Sequence, residues 1–507
     1  MMKRSFADIL QDLDGDRARK VARKLPEWAA ADAARRAAGL DPLEFPSALS
    51  LEQCSSSATA LYKAHLAGQA VAAAKLCASR YPSQPGGWAP PVHDATGGTV
   101  LRAALPAPAE GHEGLSDAKA PIKLILDLTG GLGVDSWAFS KVAERVVYYE
   151  RDEELAAAAE RNFARLGAGN IELRCETVTP ETDLPEADLI FADPARRDAA
   201  GRKVFLLEDC TPDILTLLPL LLQKAPAVLL KLSPMADLSM LADRLGPALQ
   251  EIHVVELDGE VKELLCLLRR DPAPDALEIV VSSLRSLSPE TPAPDAATMR
   301  FRPFEERAAA VSYAVGPQPG DTLLEPCPAL LKAGAFRLPC ERWGLRKLAH
   351  STHLYLFPDP PGAETVPGAP GSADFPLQGA ETTPSAPGNA DFPLQGAETA
   401  PGAPGSADFP VQGAETPSGA PENCDVPPFF KAWCIREVLP FGAKAFKDLR
   451  KRFPRAEVTA RNLPLGSEAL RKKLGIAPGG DAHLFGCRLS DGSSVLLVTE
   501  PVCRAGR

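Results

Sequence analysis

Residues Leu124–Glu150 read LILDLTGGLGVDSWAFSKVAERVVYYE, and this stretch decides the fold. Leu124 to Leu128 is an apolar strand, Thr129, Gly130, Gly131 and Gly133 form a turn, and Val134 to Ala143 has helical spacing. Arg145 to Tyr149 is a second strand that delivers Glu150 at its carboxyl end. Glycine permits the tight backbone of such a turn and lets main-chain N–H groups approach a ligand closely. An acid about 20 residues beyond the glycines is placed to hydrogen-bond a ribose diol. The spacing T-G-G-x-G, with Asp127 just before it, departs from the dinucleotide fingerprint. An acid at that point suits a ligand with a cationic amino-acid tail better than one with a pyrophosphate.

The ligand that combines a ribose with such a tail is S-adenosylmethionine. DLTGGLGVD and YYE resemble motifs I and II of class I methyltransferases. The resemblance implies that Asp127, Thr129, Gly130, Gly131 and Gly133 seat the methionine part, Glu150 the ribose, and Glu176 or a neighbour the adenine. Downstream, apolar runs at 171–175, 187–192, 227–232, 251–257 and 264–268 alternate with helical patterns at 152–166, 212–223 and 238–245. This alternation predicts an α/β fold, a parallel sheet covered on both faces. Residues 116–271 thus read as a Rossmann-like domain with the seven strands of a class I methyltransferase.

Around this domain the composition changes several times. Residues 1–115 lack strand patterning, and alanine-rich helical windows at 14–38 and 50–78 predict a helical N-terminal domain, followed by a connection at 82–114. Residues 271–300 read as a proline-rich link, and 301–358 as a small unit of less regular pattern. From Gly362 the motif GAET recurs at 362, 379, 396 and 413, with ADFP interleaved at 373, 390 and 407. This 17-residue period of proline, glycine, alanine and acid has little to bury, so 362–425 is expected to be a disordered spacer. Between Phe429 and Lys473 twelve Lys and Arg face four acids, within a chain whose net charge is −11. A solvated helix face accounts for a short charge run; this one extends past a single helix, which favours a polyanion-facing surface.

The eleven cysteines are dispersed with no CxxC pair, which indicates neither a zinc ribbon nor an iron–sulfur cluster and fits a reducing cytosol. No metal is expected. The N-terminus lacks the apolar core of a signal peptide, and no apolar run is long enough to span a bilayer, so a cytoplasmic protein is expected.

Residues 191–198, FADPARRD, carry the second chemical signal. At the end of strand 4 they adjoin the topological switch point where ligands sit. Class I enzymes that methylate exocyclic nitrogens place D/N-P-P-Y/F here; this chain keeps Asp193 and Pro194 but has Ala195 and Arg196, which removes the aromatic platform. Arg196 and Arg197 suit either a phosphate or carboxylate, or a surface ion pair with Asp198 or Glu208. Lys231 interrupts the apolar strand AVLLKL and needs a partner, since an unpaired buried ammonium is costly. A salt bridge to Glu260 or Glu263 satisfies it. Asp193, Lys231 and Glu263 also resemble three members of the Lys-Asp-Lys-Glu tetrad of ribose 2′-O-methyltransferases, with no candidate in sequence for the first lysine.

KLPEW (24–28), LSLEQCSS (49–56), DLTGGLGVDS, DPARRD, KVFLLEDC (203–210), LLKLSPMADL (229–238) and VKELL (261–265) together resemble a bacterial family, common among Bacteroidetes, of class I methyltransferases with a ferredoxin-like subdomain and a C-terminal THUMP-like domain. The resemblance implies a ferredoxin-like unit at 285–358 and a basic THUMP-like domain at 429–503, the latter similar to RNA-binding modules of tRNA-modifying enzymes. The expected activity is methyl transfer from S-adenosylmethionine to structured RNA, tRNA or rRNA, at a base nitrogen or ribose hydroxyl. Asp193, Pro194, Arg196 and Lys231 are the expected catalytic group, and 429–473 the RNA contact. Two rivals are an RNA-binding protein with a catalytically silent fold, and a methyltransferase acting on protein or a small molecule.

Overall fold

The computed structural model describes residues 8–9, 11, 13, 15–80, 121–195, 207, 210–273, 276–286, 296–357 and 426–502. The repeat segment at 362–425 lies outside the described residues. The N-terminal region contains α1 (Gly15–Lys24), α2 (Pro26–Ala37), α3 (Ala48–Gln53) and α4 (Ser57–Arg80). There follow β1 (Ile122–Asp127), α5 (Val134–Phe139), β2 (Ala143–Tyr149), α6 (Glu153–Arg165), β3 (Ile171–Arg174), β4 (Leu189–Ala192), α7 (Ile214–Lys224), β5 (Ala227–Leu232), α8 (Leu238–Leu245), β6 (Leu249–Leu257) and β7 (Glu260–Arg269). α5 is shorter than its apolar pattern predicts. Ser140 turns back to donate to the Trp137 carbonyl at 2.7 Å, and the Asn170 amide takes the carbonyls of Ser140 and Ala143, each at 2.9 Å.

These strands order as β3-β2-β1-β4-β5-β7-β6, with β7 antiparallel to both neighbours. The sheet does not stop there. β8 (Glu278–Leu284) lies parallel to β6, and β9 (Ala296–Phe301) antiparallel to β8, giving nine strands. The proline-rich link expected at 271–300 therefore contains two strands. EIVVSSL supplies the β-branched residues of a buried strand, and the prolines punctuate its ends rather than break it.

One face of the sheet carries α7 and α8; the other carries α5, α6 and the N-terminal helices, in a shared apolar core. Trp28 of α2 is fully buried and meets the Trp137 ring edge-on at 6.1 Å. The Asn162 side chain of α6 exchanges two hydrogen bonds with the Glu44 backbone, at 2.8 and 2.7 Å. The N-terminal helices are thus a layer of the methyltransferase sandwich, because their own apolar faces have no other core to enter.

The remaining chain forms α9 (Pro303–Ala308), β10 (Ser312–Tyr313), β11 (Thr322–Pro326), α10 (Pro328–Lys332), α11 (Leu338–Trp343), β12 (Arg346–Lys347), β13 (Tyr355–Leu356), β14 (Phe430–Pro440), α12 (Ala443–Arg452), β15 (Glu457–Arg461), α13 (Ser467–Leu474), β16 (His483–Arg488) and β17 (Ser494–Pro501). Their strands make one eight-stranded sheet, β10-β12-β13-β11-β14-β17-β16-β15. Antiparallel pairing of Thr322–Pro326 with Phe430–Cys434 joins the parts on either side of the repeat segment. α12 and α13 cover one face through Leu449, Leu470 and Leu474. At the junction with the first sheet, buried Glu256 of β6 accepts the Ala329 N–H at 2.8 Å, satisfying a donor in the first turn of α10.

Candidate active site

The glycine turn is held by contacts that admit no side chain. A Cβ on Gly130 would lie 1.9 Å from the Tyr148 ring, and one on Gly133 would lie 2.3 Å from Phe163. Gly131 and Gly133 have φ of +57° and +81°, the left-handed region that glycine tolerates. The Gly130 N–H donates to the Tyr149 carbonyl at 2.8 Å, and the Tyr148 hydroxyl to the Gly131 carbonyl at 2.5 Å, so the turn is strapped to β2. At Gly131 the space where a side chain would begin is open, with nothing within 4 Å.

Glu150 stands at the end of β2, half-buried, and its two oxygens accept the N–H groups of Gly131 and Asp152, each at 2.8 Å. Glu176 is exposed just past the end of β3. Asp127 closes β1, just before the turn. It is fully buried, and its carboxyl accepts the Ser136 hydroxyl at 2.6 Å and the Thr129 N–H at 3.1 Å. Burial pushes it up to about 7. It therefore fastens the turn to α5.

Thr129 links the turn to the second signal: its hydroxyl accepts the Asp193 N–H at 2.6 Å. The Asp193 side chain is 37% exposed, and Pro194 behind it is buried. Arg196 and Arg197 lie outside the described residues. Lys231 reaches across from β5 to the Asp193 carboxylate at 2.5 Å. The salt bridge expected with Glu260 or Glu263 does not form, because both acids have other partners. Glu260 holds Lys262 at 2.5 Å, and Glu263 is occupied by Lys63 of α4 at 2.8 and 3.1 Å.

Lys63 is the residue that the sequence reading missed. Its side chain is fully buried, and beyond Glu263 it meets Asp135 at 3.1 Å and the Ser55 hydroxyl at 3.1 Å. Ser55 donates to Asp135 at 2.7 Å and also accepts from Lys231 at 3.2 Å. One hydroxyl thus bridges two ammonium groups. Burial alone would raise the Asp135 carboxyl, yet Lys63 and Lys231 hold it below the usual carboxylate range. Burial likewise opposes the Lys231 charge, but Asp193, Asp135 and Glu263 outweigh it and raise that ammonium above the lysine range. A signal was present: Lys63 falls at helical spacing with Thr59, Leu66 and Ala70, all buried, so it is a lone charge on an apolar stripe.

Asp193, Lys231, Ser55 and Glu263 open onto a cleft of about 820 Å³, walled on its far side by α1 with Arg23 and Lys24. The glycine turn does not line this cleft and meets Asp193 through Thr129, so Asp193 is the acid that the turn and the cleft share.

Comparison with known proteins agrees with this architecture. The family described as THUMP domain-like matches residues 430–501, and the one described as ferredoxin-like domain matches 323–360. A crystal structure from Porphyromonas gingivalis W83, of a protein named provisionally as a methyltransferase, is 26% identical, covers 99% of this chain and 95% of its own, and superposes with a TM-score of 0.61. The chain is built as a class I methyltransferase. An rRNA methylase from Streptococcus thermophilus (13% identity, 29% of this chain, 86% of that one, TM-score 0.23) and a ribosomal protein L11 methylase from Lactobacillus delbrueckii (21%, 31%, 73%, 0.23) are also similar. No curated protein matches. Among the described residues of this methyltransferase no helix is long and apolar enough to cross a membrane.

Proposed function

We propose that this methyltransferase moves the methyl group of S-adenosylmethionine to structured RNA in the cytoplasm, with Asp193 receiving the acceptor. The open space at Gly131, beside the half-buried Glu150 carboxylate, fits a ribose and its amino-acid tail, with Thr129, Gly130 and Gly133 shaping the turn and Glu176 at the adenine end. The bound cofactor supplies a sulfonium methyl. Asp193 accepts an N–H or O–H of the incoming nucleotide, and the Pro194 carbonyl is the second acceptor. Lys231, paired at 2.5 Å, keeps the Asp193 carboxylate in one orientation. An ammonium raised in this way stays protonated, so Lys231 acts as a fixed charge and not as a base. The barrier falls chiefly through alignment of acceptor and methyl.

The observation that carries the reading is the Asp193–Lys231 pair, set at the ends of β4 and β5 between the glycine turn and a cleft large enough for a nucleotide. RNA as the acceptor is supported by the THUMP-like match and by Lys444, Lys447 and Lys451, exposed along α12 with no acidic partner among the described residues. Incubating the protein with radiolabelled S-adenosylmethionine and separate tRNA, rRNA and protein pools tests it, with Asp193→Ala as control. Label entering one RNA pool with the wild type alone is expected; label entering protein only, or no pool at all, would sink the reading.

A ribose hydroxyl is the acceptor favoured by Lys231, the ammonium at the Asp193 carboxylate, which Ser55 joins to buried Lys63 and its partner Glu263. A cation beside the acceptor stabilises a developing oxyanion and disfavours a developing ammonium. Digestion of labelled RNA separates the two: a 2′-O-methylated nucleotide resists alkaline cleavage, whereas a base-methylated one does not.

A further inference from the structure

Lys24, the last residue of α1, lines the cleft. Its ammonium donates to the Glu52 carbonyl at 2.6 Å and the Leu51 carbonyl at 3.4 Å, and among the described residues no carboxylate lies within ion-pair distance of it. The Cys54 thiol beside it is pushed up by burial and stays neutral. Four of the cleft's five acids are engaged elsewhere: Asp193 holds Lys231, Glu260 holds Lys262, Glu263 holds Lys63, and Asp258 accepts from the Ser286 N–H at 3.0 Å. Burial pushes the Lys24 ammonium below the lysine range, and the charges of Lys231 and Lys262 push the same way. Partly desolvated positive charge held only by carbonyls is stabilised by an anion entering the cleft. Exposed Arg23, one residue earlier, lines the same wall.

We infer that Lys24, with Arg23, binds a phosphate of the acceptor strand and so sets the target nucleotide against Asp193. This rests on the RNA reading above, and it makes the N-terminal helices the acceptor-binding wall. The ligand chemistry is a phosphodiester of RNA; a phosphate carried by a small metabolite is the other source.

Three measurements on the full chain test it. With labelled RNA, Lys24→Gln is expected to raise KM about tenfold at unchanged kcat and unchanged S-adenosylmethionine affinity, to reduce the salt slope of binding by about one, and to be rescued by Lys24→Arg. An unchanged KM, or a loss of cofactor affinity, would overturn the proposal. Should no RNA be methylated, the phosphate site is judged by binding alone. A fluorescent tetraribonucleotide should bind wild type more tightly than Lys24→Gln, while its uncharged methylphosphonate counterpart should bind both equally. Equal binding of the charged form overturns the site. Competition by inorganic phosphate with no difference for the tetranucleotide overturns RNA as the source.

Discussion

The two sides of Asp193 are built on different physical principles. On the glycine side the constraints are local: the turn, β2 and Glu150 lie within 27 residues, and positive φ angles and missing side chains fix their geometry. On the cleft side the constraints are electrostatic and long-range: Lys63 meets Glu263 across 200 residues, and Lys231 meets Ser55 across 176. A glycine turn tolerates little change in shape but carries no charge. The cleft network tolerates no change in charge balance. The difference suggests that the cofactor side can be damaged by adding an atom, and the acceptor side by removing a charge.

The largest effect is therefore expected at Lys63. Lys63→Met leaves Glu263 and Asp135 buried beside an apolar chain, and removal of one partner from such a network costs about 3–5 kcal/mol. Denaturant unfolding should show a fall of this size; a change under 1 kcal/mol would mean that the network relaxes into solvent. Gly130→Ala is smaller, about 1–3 kcal/mol, because its Cβ forces the Tyr148 ring to shift. The accompanying loss of cofactor affinity, read by calorimetry, should greatly exceed the loss caused by Lys63→Met.

Outside both sides, replacing Lys444, Lys447 and Lys451 with glutamine should weaken RNA binding and lower its salt slope by about three while leaving cofactor affinity alone. A slope that does not move would place the RNA on another surface. A pH-dependent effect is expected at Asp127. Its folded carboxyl is pushed up to about 7, above the ordinary value of 3.8, so the native state binds the proton more tightly than the unfolded chain. That contribution is fully present below about pH 4 and is lost as pH rises toward 7. Wild type minus Asp127→Asn stability, followed from pH 4 to 8, should decline over that window; a flat difference would mean that the carboxyl is not desolvated.

Much of the first side was legible in sequence, because strand and turn signals arise from neighbouring residues. β1, β2, the turn and the acid at its end sit where LILDLTGGLG and VVYYE place them. The alternation of apolar runs and helical patterns located these strands, while their order and the antiparallel β7 came from the structure. The position of Asp127 at the end of β1 does not reveal that its carboxyl accepts the hydroxyl of Ser136, nine residues on in α5. The prolines of 271–300 concealed β8 and β9, since they mark strand ends as readily as links.

By itself, then, the sequence determined the periodicities, the glycine turn, the acid after strand 4 and the basic excess near the C-terminus. The tertiary structure decided which charges meet. It brought Lys63 and Ser55 from the N-terminal helices to Lys231, left Lys24 among carbonyls, and merged two C-terminal units into one sheet. The physical reason is that periodicity encodes the face on which a side chain lies. The partner it meets there depends on which distant segment packs against that face, and on the need to compensate every charge taken out of water.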